Sequence, residues 1–218
     1  MFQRESLQLY FVMGSTNCLK NPREVLTEAI KGGITMFQFR EKGEGSLVGK
    51  DKRNLATDLQ AICQEHGIPF IVNDDVELAL SIGADGVHIG QDDGDIETIR
   101  NLVGKKILGI STHNVEEAKA ALKLGADYIG VGPMYETLTK KDIQRVRGPK
   151  VIEEIRAAGI HLPLVGIGGI CSGRVKEIAQ RGADGIAVIS AISKAFSIEE
   201  SARLLRQEFQ TSQVKAYL

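Results

Sequence analysis

The tetrapeptide Gly83-Ala84-Asp85-Gly86 returns as Gly182-Ala183-Asp184-Gly185 and, with one change, as Gly125-Ala126-Asp127-Tyr128. Each copy closes an amphipathic stretch and opens a short apolar run: GVHIG, YIGVG and GIAVIS. The physics is local. Glycine takes the left-handed position that ends a helix, and Ala-Asp turns the chain into the next strand. Related exits at Gly32-Gly33, Gly67 and Gly159 lead into ITMFQFR, IPFIVND and IHLPLVGIGG. With LQLYFVMG at the start and KKILGIST in the middle, there are eight strand candidates, beginning near residues 8, 34, 69, 86, 106, 128, 162 and 185.

Helical patterns follow them at 22–32, 47–66, 75–82, 95–103, 115–124, 149–158, 172–181 and 198–209. Two carry capping signatures: Asn114 before Val115-Glu116-Glu117 and Ser197 before Ile198-Glu199-Glu200, where the carboxylate at the third helical position can reach back to the cap. Strict alternation with nearly continuous apolar strands predicts a parallel sheet with helices outside. Eight units predict a closed (β/α)8 TIM barrel. An open doubly wound sheet is the alternative, but Met13-Gly14-Ser15-Thr16-Asn17 stands where its Gly-x-Gly-x-x-Gly turn belongs. No Pro/Ser linker or charge block divides the chain, so residues 1–218 read as one barrel domain with its site at the C-terminal ends of the strands.

Composition narrows the partners. The 27 basic and 28 acidic side chains leave a net charge of −1, which gives no electrostatic case for nucleic acid or an anionic membrane. No apolar run reaches the ~18 residues of a membrane helix, and the N-terminal apolar stretch reads as a strand rather than a signal peptide. Cys18, Cys63 and Cys171 form no C-x-x-C pair, Cys63 falls in a helical pattern as a core residue, and a reduced, cytoplasmic setting fits. Oligomeric state is left open, a homo-oligomer included.

The polar residues at the strand ends carry the chemistry. Period two in the second strand sends Phe37 and Phe39 to the helix layer and Gln38 and Arg40 into the barrel mouth, with Lys42 just beyond. Two cations and an amide there ask for an anionic ligand, with a buried ion pair as the plainer reading. The third strand ends Val72-Asn73-Asp74-Asp75 and the fourth His88-Ile89-Gly90-Gln91-Asp92-Asp93. Neighbouring carboxylates without Cys and with few His suit a hard cation, above all Mg²⁺. Asp75 also stands at a helix N-cap position, Asp92 reads equally as a solvated charge, and His88 reads as a hydrogen-bonded barrel histidine rather than a catalyst.

Strand five delivers Ser111-Thr112-His113, suited to phosphate oxygens or simply to starting the next helix. The stretch from Pro133 to Gly148 far exceeds the usual 2–6 residues of such connections, and Lys140, Lys141, Arg145 and Arg147 make it basic, which predicts a lid. Strand seven ends Gly166-Ile167-Gly168-Gly169 and strand eight Ile189-Ser190-Ala191-Ile192-Ser193. Glycine turns after strands seven and eight form the barrel phosphate site, so a side chain at Gly169 is expected to obstruct a phosphate.

Gln38-Phe39-Arg40-Glu41-Lys42, Val72-Asn73-Asp74-Asp75, His88-Ile89-Gly90-Gln91, Gly132-Pro133-Met134-Tyr135-Glu136-Thr137 and Val165-Gly166-Ile167-Gly168-Gly169-Ile170 together resemble the thiamine-phosphate synthase family, in order and spacing. The resemblance runs over essentially the whole chain. It implies an alkyl transfer in thiamine biosynthesis. 4-Amino-5-hydroxymethyl-2-methylpyrimidine pyrophosphate would join a thiazole phosphate, giving thiamine monophosphate and pyrophosphate, with C–O cleavage running ahead of C–N bonding. It further implies that Gln38, Arg40, Lys42, Asn73, Ser111 and Lys140 hold the pyrimidine pyrophosphate, with Arg40, Lys42, Ser111 and Lys140 catalytic. Asp74 and Asp93 would carry Mg²⁺, and Thr137, Thr139, Gly169, Ile189 and Ser190 would hold the thiazole phosphate. Asp92 before Asp93 and the Glu136-Thr137-Leu138-Thr139 wording depart from the commonest pattern without removing a functional residue. The related thiazole tautomerase shares the glycine-rich end but needs no pyrophosphate clamp, and a non-catalytic phosphate sensor on the same barrel would need no intact set of strand-end polar residues.

Overall fold

The computed structural model describes residues 2–137 and 146–214. Strands β1 (Leu9–Met13), β2 (Met36–Phe39), β3 (Phe70–Asn73), β4 (Gly86–Ile89), β5 (Ile107–Thr112), β6 (Tyr128–Val131), β7 (Leu164–Ile167) and β8 (Gly185–Val188) pair in chain order and close into a barrel. All pairings are parallel, and closure sets Leu9 beside Ile186 and Tyr10 beside Ala187. Helices α1 (Pro22–Lys31), α2 (Gly49–Glu65), α3 (Val76–Ile82), α4 (Ile96–Val103), α5 (Val115–Lys123), α6 (Lys150–Ala157), α7 (Val175–Gln180), α8 (Ser190–Ser193) and α9 (Ile198–Val214) accompany them.

The two faces of each strand serve different cores. Leu9, Phe11 and Met13 of β1, Phe37 and Phe39 of β2, and Phe70 and Val72 of β3 pack outward with the helices. Tyr10, Val12, Met36, Ile71, Tyr128, Val165 and Ala187 fill the barrel interior. Because alternate residues point to opposite faces, burial on both sides demands the continuous apolar runs seen in the sequence. Cys63 lies in the outer core as expected.

The repeated Gly-Ala-Asp motif does more than turn the chain. Gly83, Gly125 and Gly182 take φ of 71°, 75° and 95°, the left-handed exit expected of them. The aspartate then reaches sideways. Asp85 Oδ2 accepts from Phe70 N at 2.8 Å, Asp127 Oδ2 from Leu108 N at 2.9 Å, and Asp184 Oδ2 from Leu164 N at 2.8 Å. Each carboxylate before an even-numbered strand thus holds the N-terminal end of the preceding odd one. Thr35 repeats the device with a hydroxyl, accepting from Leu9 N at 2.9 Å. Two arginines reinforce the motif in matching places. Arg100 of α4 binds Gly125 O, Asp127 and Lys106 O, and Arg156 of α6 binds Gly182 O, Asp184 and Leu162 O.

Three local expectations change. Asn114 caps α5 by accepting from Glu117 N at 2.9 Å, but Glu117 does not return to the Asn114 backbone. Its carboxylate accepts from the Asn114 side-chain amide and from His113 N instead. Helix α7 is shorter than the 172–181 pattern because Cys171–Arg174 forms a turn, with Arg174 N donating to Cys171 O. The four-residue α8 escapes periodicity because one turn shows no repeat. Among the described residues, no helix is long and apolar enough to cross a membrane.

Candidate active site

A cavity of about 760 Å³ opens at the C-terminal ends of the strands. Arg40, Lys42, Asn73, Asp74, Asp93, Ser111, Thr137, Gly169, Ile189 and Ser190 all line it. They come from the ends of several different strands and the loops that follow, so only barrel closure makes them neighbours. Thr139 and Lys140 lie outside the described residues, as do Lys141 and Arg145 of the expected basic lid. Gln38 sits one layer deeper than the mouth, 3% exposed, where its amide donates to Tyr10 OH at 2.6 Å.

The charged corner lies between β2, β3 and β4. Lys42 Nζ is 2.8 Å from Asp74 Oδ2 and 3.8 Å from Asp93 Oδ1. Asp93 turns its other oxygen onto Gly90 N at 2.7 Å, which holds the loop after β4. Asp74 has φ 60°, a left-handed conformation that Asp and Asn tolerate better than other side-chain-bearing residues. Burial pushes the Asp74 carboxyl above the usual carboxylate range, and Asp93 beside it adds to the shift while Lys42 opposes it. The hydrogen bond to Asp74 in turn raises the pKa of the Lys42 ammonium. Two neighbouring, partly exposed carboxylates ask for positive charge. Lys42 supplies part of it.

Asp75 is set aside from this corner. It caps α3, accepting from Leu78 N at 2.9 Å, and pairs with Lys52 at 2.7 Å. His88 is a hydrogen-bonded barrel residue, with Nε2 2.9 Å from Ser111 Oγ and Nδ1 2.9 Å from Tyr128 OH.

On the opposite side, Gly168 and Gly169 take φ of 101° and 65°. A side chain at Gly169 would not enter the cavity as expected. Its Cβ would meet Glu136 O at 2.5 Å and Tyr135 Cβ at 2.9 Å, so the missing side chain admits the segment after β6, while the Gly169 backbone still lines the cavity. Arg174 steadies the turn by donating to Gly169 O at 2.8 Å while lying over the Tyr135 ring.

Two residues with no assigned part hold the site together. Glu41, inside the QFREK run, accepts from Ser15 N at 2.7 Å and Leu47 N at 2.8 Å and so joins the loops after β1 and β2. Gln91 donates to Ser111 O at 2.6 Å. Both stand inside motifs that carry the resemblance, yet neither was given a role, because their partners come near only on folding.

The thiamine monophosphate synthase family model matches residues 9–192. A thiamine-phosphate synthase of Bacillus cereus is 56% identical over 206 residues, 94% of each chain. One from Bacillus thuringiensis (strain Al Hakam) is 55% identical over the same coverage. Among solved structures, a thiamine phosphate pyrophosphorylase from Pyrococcus furiosus superposes with a TM-score of 0.86 at 33% identity, covering 96% of this chain and 98% of that one.

Proposed function

The chain belongs to the thiamine monophosphate synthase family, and from that premise we infer that it joins 4-amino-5-hydroxymethyl-2-methylpyrimidine pyrophosphate to a 4-methyl-5-(2-phosphoethyl)thiazole or its carboxylated form. The observation that carries this reading is the shared cavity. A cationic corner with paired carboxylates faces a glycine and serine turn across one space of about 760 Å³, so two anions can be held with their reacting ends together.

In this reading Arg40, Lys42, Asn73 and Ser111, with Lys140 from the segment after β6, hold the pyrimidine pyrophosphate, and Gln38 supports them from beneath. Thr137, Thr139, Gly169, Ile189 and Ser190 hold the thiazole phosphate. Asp74 and Asp93 fit a divalent cation, because partial burial and the neighbouring Asp93 already disfavour a bare carboxylate at Asp74. One or two carboxylates plus substrate phosphates is the ligand set Mg²⁺ prefers. When bound, Mg²⁺ supplies neutralising charge to the departing pyrophosphate. The chain's own work is electrostatic and positional. Arg40 and Lys42 stabilise the charge that gathers on the leaving oxygen, and the two anion sites line up the pyrimidine CH2 with the thiazole nitrogen. A cytoplasmic setting, supported by the free thiols of Cys18, Cys63 and Cys171, and a single domain over 1–218 belong to the same proposal.

The deciding experiment incubates the protein with both substrates and Mg²⁺ and follows thiamine monophosphate by mass together with pyrophosphate release. Equal yields of the two products support the reading. Proton exchange on the thiazole without condensation would replace it with a tautomerase.

A further inference from the structure

A chain of polar side chains runs up the inside of the barrel and ends at the cavity. Gln38 Nε2 donates to Tyr10 OH at 2.6 Å, and Tyr10 OH lies 2.7 Å from Tyr128 OH. Tyr128 OH lies 2.9 Å from His88 Nδ1, and His88 Nε2 lies 2.9 Å from Ser111 Oγ at the cavity wall. Room for it is made by two strand glycines. A Cβ at Gly109 would stand 2.1 Å from Tyr128 Cζ and 2.5 Å from His88 Nδ1, and one at Gly130 would stand 3.2 Å from His88 Cε1. Glycine in a strand interior weakens the strand unless something approaches closely, as these rings do.

We propose that this chain fixes His88 as the neutral tautomer carrying its proton on Nε2, and so directs the Ser111 hydroxyl proton into the cavity as a hydrogen-bond donor to the pyrimidine pyrophosphate. The direction follows from counting protons. Burial pushes both phenols well above their ordinary ionisation range, so each keeps one proton to donate. Tyr10 oxygen accepts from the Gln38 amide, so its own proton goes to Tyr128. Tyr128 oxygen is then an acceptor, and its proton goes to His88 Nδ1. An imidazole that accepts at Nδ1 carries hydrogen at Nε2 and donates it to Ser111 Oγ. Ser111 oxygen now accepts from behind, and its hydrogen faces the cavity.

The role of Ser111 follows. With Nε2 already protonated, His88 takes no proton from Ser111, so the hydroxyl holds the substrate and does not relay a proton. Gln38, Tyr10, Tyr128 and His88 are positioning residues, and Gln38 sets the polarity of the whole chain. The placement of the pyrimidine pyrophosphate at Ser111 rests on the function proposed above, whereas the tautomer does not.

Two measurements separate them. ¹⁵N NMR of histidine-labelled, ligand-free protein should show His88 neutral with a bare Nδ1 and a protonated Nε2. Gln38→Glu, whose carboxylate accepts the Tyr10 proton, should reverse the chain and move the His88 proton to Nδ1. A wild-type His88 protonated at Nδ1, or at both nitrogens at neutral pH, would overturn the proposal whether or not the enzyme turns over. The kinetic arm is a double-mutant cycle of Tyr128→Phe with Ser111→Ala. Tyr128→Phe should raise the KM for the pyrimidine pyrophosphate about tenfold, the worth of one well-placed hydrogen bond. It should leave the KM for the thiazole phosphate unchanged, and should add nothing when Ser111 is already alanine. Additive losses, or equal losses for both substrates, would make Tyr128 merely structural. If Tyr128→Phe does not fold, Tyr10→Phe breaks the chain one link earlier and reads the same cycle.

Discussion

Asp74 shows how much one residue carries. Its φ of 60° turns the carboxylate from the end of β3 toward Lys42 and Asp93. Asparagine tolerates the same backbone, so Asp74→Asn should keep the fold while removing the charge. The expected fall in kcat is about 10²–10³, the loss of one strong electrostatic contact of about 3–4 kcal/mol, and excess Mg²⁺ should partly restore the rate. Steady-state kinetics across a Mg²⁺ titration checks this, and full activity in EDTA would sink the metal-assisted mechanism. Asp95 offers a simpler test of the same chemistry in an exposed place. The Thr98 hydroxyl, then the Thr98 N–H, hold its carboxyl below the usual range where it caps α4. A depressed folded-state pKa stabilises above the unfolded value and loses its effect as pH falls through the folded one. The stability difference between wild type and Asp95→Ala should therefore be larger at neutral pH than in acid, as read by urea unfolding at both.

At the scale of elements, the repeated Gly-Ala-Asp motif was legible as punctuation but not as a clamp. Glycine's role follows from local backbone sterics and needs no neighbour. The aspartate's partner, the N–H of an earlier strand, lies 15 to 20 residues away in sequence and beside it only in the sheet. Asp127→Ala should cost about 2–3 kcal/mol in chemical unfolding, since it strands the Leu108 N–H and leaves Arg100 without its carboxylate. A change below about 0.5 kcal/mol would reduce the motif to a turn. The capping of α5 followed the same pattern: Asn114 behaved as its type predicts, while the Glu117 carboxylate went to whichever donors the turn put in reach.

For the whole molecule, the barrel interior is where strand glycine and ring volume must match. Gly109→Ala should destabilise by about 3 kcal/mol, because its Cβ falls on the Tyr128 ring and close packing leaves no slack. Calorimetry would test it, and an unchanged midpoint would mean that the interior is looser than it looks. Alternation of apolar runs and amphipathic stretches was sufficient to establish eight strands, the helices between them and a closed parallel sheet, since burial on both faces writes itself into every residue of a strand. Residue type and strand-end position were likewise enough to bring Arg40, Lys42, Ser111, Ser190 and the carboxylates after β3 and β4 to one cavity, and the family resemblance singled out Asn73, Asp74 and Asp93 among them. What the tertiary structure alone decided is the direction and partner of each polar group. Gln38 went below the mouth to Tyr10, Gly169 made way for the Tyr135–Glu136 segment, and Glu41 and Gln91 tied together the loops around the cavity. The reason is the range of the forces. Hydrophobic periodicity and backbone sterics act along the chain and are written residue by residue, whereas a hydrogen bond acts over about 3 Å and exists only once closure of the barrel has set its partner there.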